Sequence, residues 1–233
     1  KEKLSAIRGY KPGYFSFNIP GGRCEPCEGE GTEKIEMQFM ADISLQCEEC
    51  HGQRFKVEVL DVTIGGKNVF EIFNMTTNQS LEFFKIHQSE YKLMSNVINR
   101  LKPLQDVGLG YLKLGQASST LSGGEAQRIK LAYYLSKGQN IDPILFIFDE
   151  PTTGLHFHDI KKLLDSFNAL LDKGHTIIII EHNIELIKCA DYIIDLGKEG
   201  GKLGGELIFQ GTPEELITCT ASHTAPYLTE KLH

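Results

Sequence analysis

From residue 121 onward the hydrophobic pattern switches regularly between two periods. Residues 123–137 repeat at helical spacing, and ILFIFD at 144–149 is apolar throughout. A helical pattern at 157–172 leads into HTIIIIEH at 175–182, and a third at 183–189 leads into DYIIDL at 191–196. Strands apolar on both sides and separated by helices predict an α/β core, a mainly parallel sheet covered by helices on both faces. The tail GGELIFQGTPEEL predicts a short strand or hairpin. A helix then opens at Thr212 with Pro213 in its first turn.

Upstream the pattern is less regular. Residues 1–20 hold aromatics at alternating places, Phe15 and Phe17, which predicts a lead-in strand. Residues 21–54 are rich in Gly, Cys and Glu and too poor in apolar side chains to fold by burial alone. Residues 55–120 begin with the alternating FKVEVLDVTI, read as a strand, and continue through helical patterns near 80–86 and 90–107 to the glycine-punctuated DVGLGYLKLGQ. The expected organisation is therefore a lead-in at 1–20, a cysteine module at 21–54, an inserted strand-plus-helices region at 55–120, and the α/β core at 121–233.

The cysteines change the picture of the second segment. CEPCEGEG and CEECHGQR carry two CxxC pairs, Cys24 with Cys27 and Cys47 with Cys50, separated by residues 28–46. Two such knuckles present four thiolates, the ligand set of a closed structural Zn²⁺ site, and metal would replace the missing core. His51 is the other possible ligand beside Cys50, although four cysteines already complete the shell. Free or redox thiols are the competing reading. Cys189 and Cys219 stand alone and read as a small buried hydrophobe and a surface thiol. His87, His158, His175, His223 and His233 offer no ligand spacing.

Charge excludes one class of protein. The 233 residues carry a net charge of −7, which argues against a uniformly basic protein that wraps phosphate. The cysteine module is itself acid-rich, so it is not expected to bind phosphate non-specifically. Lys85, Lys92, Arg100 and Lys102 read as solvated helix faces, with a modest DNA-facing stripe as the alternative. No apolar stretch reaches the roughly 20 residues needed to span a bilayer. KEKLSAIRGYKPGYF lacks the apolar stretch of a secretory signal, so a cytoplasmic location is expected.

LSGGE at 121–125 opens the first core helix. Ser122 is placed as its N-cap, and Gly123 and Gly124 let a ligand approach first-turn amides that suit a phosphate. The strand ILFIFD delivers Asp149 and Glu150 at its C-terminal end, where ligands of open α/β sheets bind. Asp149 is placed to hold Mg²⁺ through water, and Glu150 to orient or deprotonate an attacking water. Glu181-His182-Asn183 ends the next strand near the same edge, within reach of a γ-phosphate.

In that order these motifs resemble the ATP-binding cassette family. LSGGE (Leu121, Ser122, Gly123, Gly124, Glu125) matches its signature, FIFDE its Walker B, and His182 its switch histidine. DVGLGYLKLGQASSTLSGGEAQRIKLA, DEPTTGLHFHDI, EHNIELIKCADYIIDLG and the cysteine pattern resemble, within that family, the damage-sensing subunits of the bacterial excinuclease. His156, where most cassettes carry Asp, points the same way. The resemblance implies a dimeric cytoplasmic ATPase with two cassettes. It implies that the protein binds damaged double-stranded DNA and loads a partner helicase subunit for nucleotide excision repair. It also implies that the signature of one cassette faces the Walker A of the other.

A P-loop, GxxxxGK[ST], is missing: Gly65-Gly66-Lys67-Asn68 and Gly201-Lys202-Leu203 fail on spacing and on the hydroxyl. In the family that loop precedes the cysteine module. The expectation is a C-terminal piece of the second cassette, inactive as an ATPase by itself. The rival readings are a zinc-dependent protein-interaction module, since CxxCxGxG recurs in chaperone zinc regions, and a cassette ATPase of transport or translation.

Overall fold

A computed structural model describes residues 3–35, 43–91, 93–137, 142–199, 201 and 204–232. The chain divides into two compact units, Lys1–Ile98 with Tyr111–Ala117 and Asn99–Gly110 with Ser118–His233. Lys92 of the basic stripe and His233 lie outside the described residues.

The first unit is made of short elements. Helix α1 (Lys3–Ile7) and a 3-10 turn at Pro12–Phe15 occupy the lead-in, so the strand expected there is corrected. Pro12 begins the turn, where its fixed φ and missing N–H are favourable. Phe17 instead joins an aromatic cluster, 5.4 Å from Phe73 and 6.5 Å from Phe55 between ring centroids. Strands β1 (Thr32–Ile35) and β2 (Ile43–Gln46) pair antiparallel, with Thr32 opposite Gln46.

The strand expected at 55–64 is also corrected. Its first half is the single-turn helix α2 (Val57–Leu60), which buries Val59. Phe55 makes a single antiparallel bridge to Arg23, and Thr63–Ile64 (β3) forms the one strand in this stretch, paired with Lys67–Asn68 (β4). Gly65 and Gly66, at φ 54° and 78°, form the two-residue turn between them, a conformation that non-glycine residues resist.

Three helices follow: α3 (Val69–Asn74), α4 (Thr77–Ile86) and α5 (Met94–Asp106). Capping boxes of Asn68 with Glu71 and of Thr76 with Gln79 open the first two. Buried Leu81, Phe83 and Phe84 supply the apolar face of α4.

The second unit takes in α5 from Asn99 onward and continues with α6 (Gly123–Ser136), β5 (Leu145–Asp149), α7 (Phe157–Leu171), β6 (Thr176–Ile180) and α8 (Ile184–Ile187). β5 and β6 pair in parallel, Leu145 opposite Thr176 through Asp149 opposite Ile180, across the α7 crossover. Helix α7 buries Ile160, Leu163, Phe167 and Leu170 at helical spacing, and Phe167 lies 5.0 Å from Phe148 of β5. Phe146 on the same face meets Tyr134 of α6 at 5.0 Å. The opposite face presents Leu145, Ile147, Ile178 and Ile180, all exposed.

The third predicted strand does not extend the parallel pair among the described residues. β7 (Ile193–Gly197) pairs antiparallel with β8 (Glu206–Gly211) in the tail. The connection between them is too short for the dozen or more residues that a parallel crossover needs. Thr212 caps helix α9 (Pro213–Leu216) as expected. Helix α10 (Ala225–Leu232) buries Leu228 against Leu216, an element that the sequence pattern did not announce. Among the described residues no helix is long and apolar enough to cross a membrane.

Candidate functional site

The two cysteine knuckles fold alike. After the second cysteine of each, two residues take left-handed backbone: Glu28 (φ 50°) and Gly29 (φ 85°) in one, His51 (φ 48°) and Gly52 (φ 78°) in the other. Gly29 is required twice over, since a Cβ there would lie 2.3 Å from the Phe17 carbonyl oxygen. The turns bring the sulfurs of Cys24, Cys27, Cys47 and Cys50 within 4.8 Å of one another, all buried.

Cys24 and Cys47 Sγ are 3.9 Å apart, and Cys27 and Cys50 Sγ are 3.6 Å apart. Four sulfurs around one Zn²⁺ at the usual bond length sit about 3.8 Å apart, whereas a disulfide needs about 2 Å. The residues fit a tetrahedral metal and not a bridge. The thiols do not shift together: burial pushes the Cys24 thiol up, whereas at Cys27 the amides of Gly31 and Gly29, with the neighbouring thiols of Cys50 and Cys24, outweigh burial and lower its pKa. His51 is exposed and outside the cluster.

The second constellation lies wholly in the second unit. Ser122 Oγ accepts from the Glu125 amide at 3.3 Å, and Glu125 Oε2 accepts from the Ser122 amide at 2.8 Å. Ala126 N–H donates to the Ser122 carbonyl at 3.0 Å. Of the four amides that a helix start leaves without intrahelical partners, the box uses the outer two, and those of Gly123 and Gly124 remain.

The two glycines differ in surroundings. A Cβ on Gly123 would meet nothing within 4 Å, whereas one on Gly124 would lie 3.2 Å from Arg128 Nη1, 3.4 Å from the Thr153 carbonyl oxygen and 4.0 Å from that of Glu150. Gly123 opens outward; Gly124 is pressed against the loop after β5.

Asp149 ends β5 and Glu150 begins the loop after it, both with exposed side chains. Glu150 is in left-handed backbone at φ 43°, with its amide donating to the Ile180 carbonyl at 2.9 Å. Its Oε1 lies 3.9 Å from His182 Nε2, and its Oε2 accepts from Thr153 Oγ1 at 3.3 Å. His182 is 84% exposed along its side chain, so the pair faces open solvent. Leu121 is half-buried beside the cap, and His156 is exposed in the loop before α7.

Sequence reasoning missed the groups that hold this corner together. Arg128 is 1% exposed and donates from Nη1 to the carbonyls of Pro151 at 2.8 Å and Thr153 at 3.4 Å. Its signal was periodicity, since it precedes buried Leu131 and Ala132 by three and four residues on one helix face. Gln127 pairs with the Asp149 backbone from the same turn. Glu181 accepts from Thr152 and from the amides of His182 and Asn183. The basic positions Lys85, Arg100 and Lys102 are exposed, and Lys102 is engaged with Asp106 at 2.6 Å along its own helix.

No protein-family model matches the chain. Individual proteins do. The chain is 53% identical over 97% of its length to UvrABC system protein A of Clostridium perfringens, and 51% identical over 97% to that of Aquifex aeolicus. The same protein of Methanothermobacter thermautotrophicus is 52% identical over 97%. A crystal structure of UvrA2 from Deinococcus radiodurans superposes with a TM-score of 0.83 at 41% identity, covering 98% of this chain and 27% of that one. The chain spans 22 to 23% of the length of these curated relatives. Over the part that it spans, the chain belongs to the UvrABC system protein A family.

Proposed function

We propose that the chain supplies the signature, the acidic strand tip and the switch histidine of an ATP-hydrolysing DNA-damage sensor of the UvrA kind. The whole protein is then a cytoplasmic ATPase that works as a UvrA homodimer. It engages damaged double-stranded DNA and loads UvrB for nucleotide excision repair. The observation that supports this reading best is the approach of Glu150 Oε1 to His182 Nε2, 3.9 Å on exposed strand tips, with the signature turn packed beside the same loop.

In this reading the remaining amides of Gly123 and Gly124 donate to phosphate oxygens at a helix start, where the backbone dipoles favour an anion. Ser122 keeps that turn in shape, with Leu121 and Glu125 flanking it. Glu150 orients the attacking water and accepts its proton, and His182 touches the γ-phosphate. Asp149 holds Mg²⁺, which neutralises phosphate charge when bound. The sequence has no GxxxxGK[ST], so the β,γ-phosphate cradle comes from elsewhere in the polypeptide, and this chain by itself hydrolyses no ATP. Cys24, Cys27, Cys47 and Cys50 hold a structural Zn²⁺, which stands in for a hydrophobic core.

The test uses the full-length polypeptide. Elemental analysis should find zinc, and ATP should raise its preference for a lesion-bearing duplex over an intact one and permit UvrB transfer. Hydrolysis of ATP with no preference between the duplexes would assign it to a cassette ATPase outside repair.

A further inference from the structure

Glu181 has no part in the hydrolytic roles above, yet its carboxylate is fully used. Oε1 accepts from the Thr152 amide at 3.0 Å and from the Thr152 hydroxyl. Oε2 accepts from the amides of His182 at 2.8 Å and Asn183 at 3.0 Å. Three of the four donors are backbone N–H groups, and the fourth is a hydroxyl. They belong to two separate loops, the one after β5 that begins with Glu150 and the one after β6 that begins with Glu181 itself.

The contact between the two reacting side chains is loose by comparison. Glu150 and His182 are 3.9 Å apart and both well exposed, too far for a hydrogen bond to hold either in place. What keeps the two tips in register is the β5–β6 ladder, ending in the Glu150 amide on the Ile180 carbonyl, and beyond the ladder the Glu181 carboxylate. Asn183 completes the turn, with its Oδ1 accepting from the Glu185 amide at 3.0 Å.

We propose that Glu181 is a positioning residue for the hydrolytic reaction: by clamping Thr152 to the His182–Asn183 turn, it sets the spacing between Glu150 and His182. This rests on the hydrolytic reading of Glu150 and His182 given above. The chemistry requires a carboxylate. Four donors converge on two oxygens, and an amide in the same place would turn an NH₂ toward N–H groups, losing two acceptances and adding a repulsion. Misplacement of reacting groups by about 1 Å costs on the order of 100-fold in rate without abolishing substrate binding.

The experiment compares Glu181→Gln, Thr152→Val, Thr152→Ser and Glu150→Gln in the full-length polypeptide by kcat and KM for ATP, with thermal melting alongside. The clamp predicts that Glu181→Gln lowers kcat by about 10- to 100-fold with KM nearly unchanged. It predicts that Thr152→Val falls in the same direction and that Thr152→Ser, which keeps the hydroxyl, recovers most of that loss. If Glu150→Gln abolishes hydrolysis while a folded Glu181→Gln keeps its kcat, the clamp is overturned and the hydrolytic reading stands. If Glu150→Gln leaves hydrolysis intact, the hydrolytic reading fails first. A parallel loss of kcat and rise of KM in Glu181→Gln also overturns the clamp. Should Glu181→Gln not fold, Thr152→Val decides: a lowered kcat at constant KM supports the clamp, and an unchanged kcat overturns it.

Discussion

The side chain of Gln127 and the backbone of Asp149 exchange two hydrogen bonds, Nε2 to the Asp149 carbonyl at 3.0 Å and the Asp149 amide to Oε1 at 3.3 Å. This pairing imitates a strand neighbour at the end of β5. Next to it, Arg128 reaches the carbonyls of Pro151 and Thr153. Two consecutive residues of the signature helix therefore fasten it to the loop that carries Glu150, and the anion-binding turn and the acidic tip are built as one piece.

Arg128→Met keeps most of the buried volume but strands the carbonyl of buried Pro151, while that of exposed Thr153 can turn to water. An unpaired buried polar group costs about 1–3 kcal/mol, so the substitution should destabilise the second unit by that amount. Denaturant unfolding followed by circular dichroism would measure it. An unchanged midpoint would mean that the guanidinium holds nothing.

Gly123 and Gly124 should separate fold from function. Gly123→Ala has room for its methyl group, so melting should hold or rise slightly, while nucleotide-dependent activity of the full-length polypeptide falls because the methyl shields the amides. Gly124→Ala presses on Arg128 and Thr153 and should lower the melting temperature itself. Equal melting losses in both variants would contradict this division.

Metal removal should act on the first unit. Structural Zn²⁺ contributes on the order of 10 kcal/mol of binding free energy to small modules. A strong chelator, or Cys47→Ser, should therefore abolish the ordered signal of residues 21–35 and 43–54. Cys189→Ser and Cys219→Ser, which lie outside the cluster, should leave zinc content unchanged. Amide hydrogen exchange with zinc analysis checks both.

Acid should loosen the second unit through Glu181. Partial burial works to raise its pKa, but the hydrogen bonds from Thr152, Asn183 and His182 prevail and hold it below the ordinary glutamate range. A depressed folded-state pKa means that the contribution is fully present above the unfolded value of about 4.3 and is lost as pH falls through the folded value. Melting temperature should drop across that acidic window, and Glu181→Gln should flatten the drop. An identical acid profile in the variant would remove Glu181 from the explanation.

Much of this architecture was legible because its signals are local. The CxxC spacing selects the four ligands, Ser122 with Glu125 writes a capping box, and the periodic runs from 123 to 180 give α6, β5, α7 and β6 within a residue or two. The misreadings came where a short alternation carries no information about partners. FKVEVLDVTI alternates, but Gly65-Gly66 closes the hairpin so soon that only Thr63 and Ile64 pair across it, and Phe55 bridges instead to Arg23. Phe15 and Phe17 alternate without a neighbouring strand, and Phe17 is fixed by Phe55 and Phe73. The roles of Arg128 and Glu181 depend on backbone groups of the loop after β5, the carbonyls of Pro151 and Thr153 and the amide of Thr152, and residue types do not record those positions.

The most direct measurement is the ATP hydrolysis rate of the full-length polypeptide carrying Glu150→Gln, beside its nucleotide affinity. Loss of a positioned proton acceptor predicts a fall of about 10²- to 10⁴-fold in kcat with binding retained. Hydrolysis at the unaltered rate would contradict the assignment of this strand tip to the chemistry.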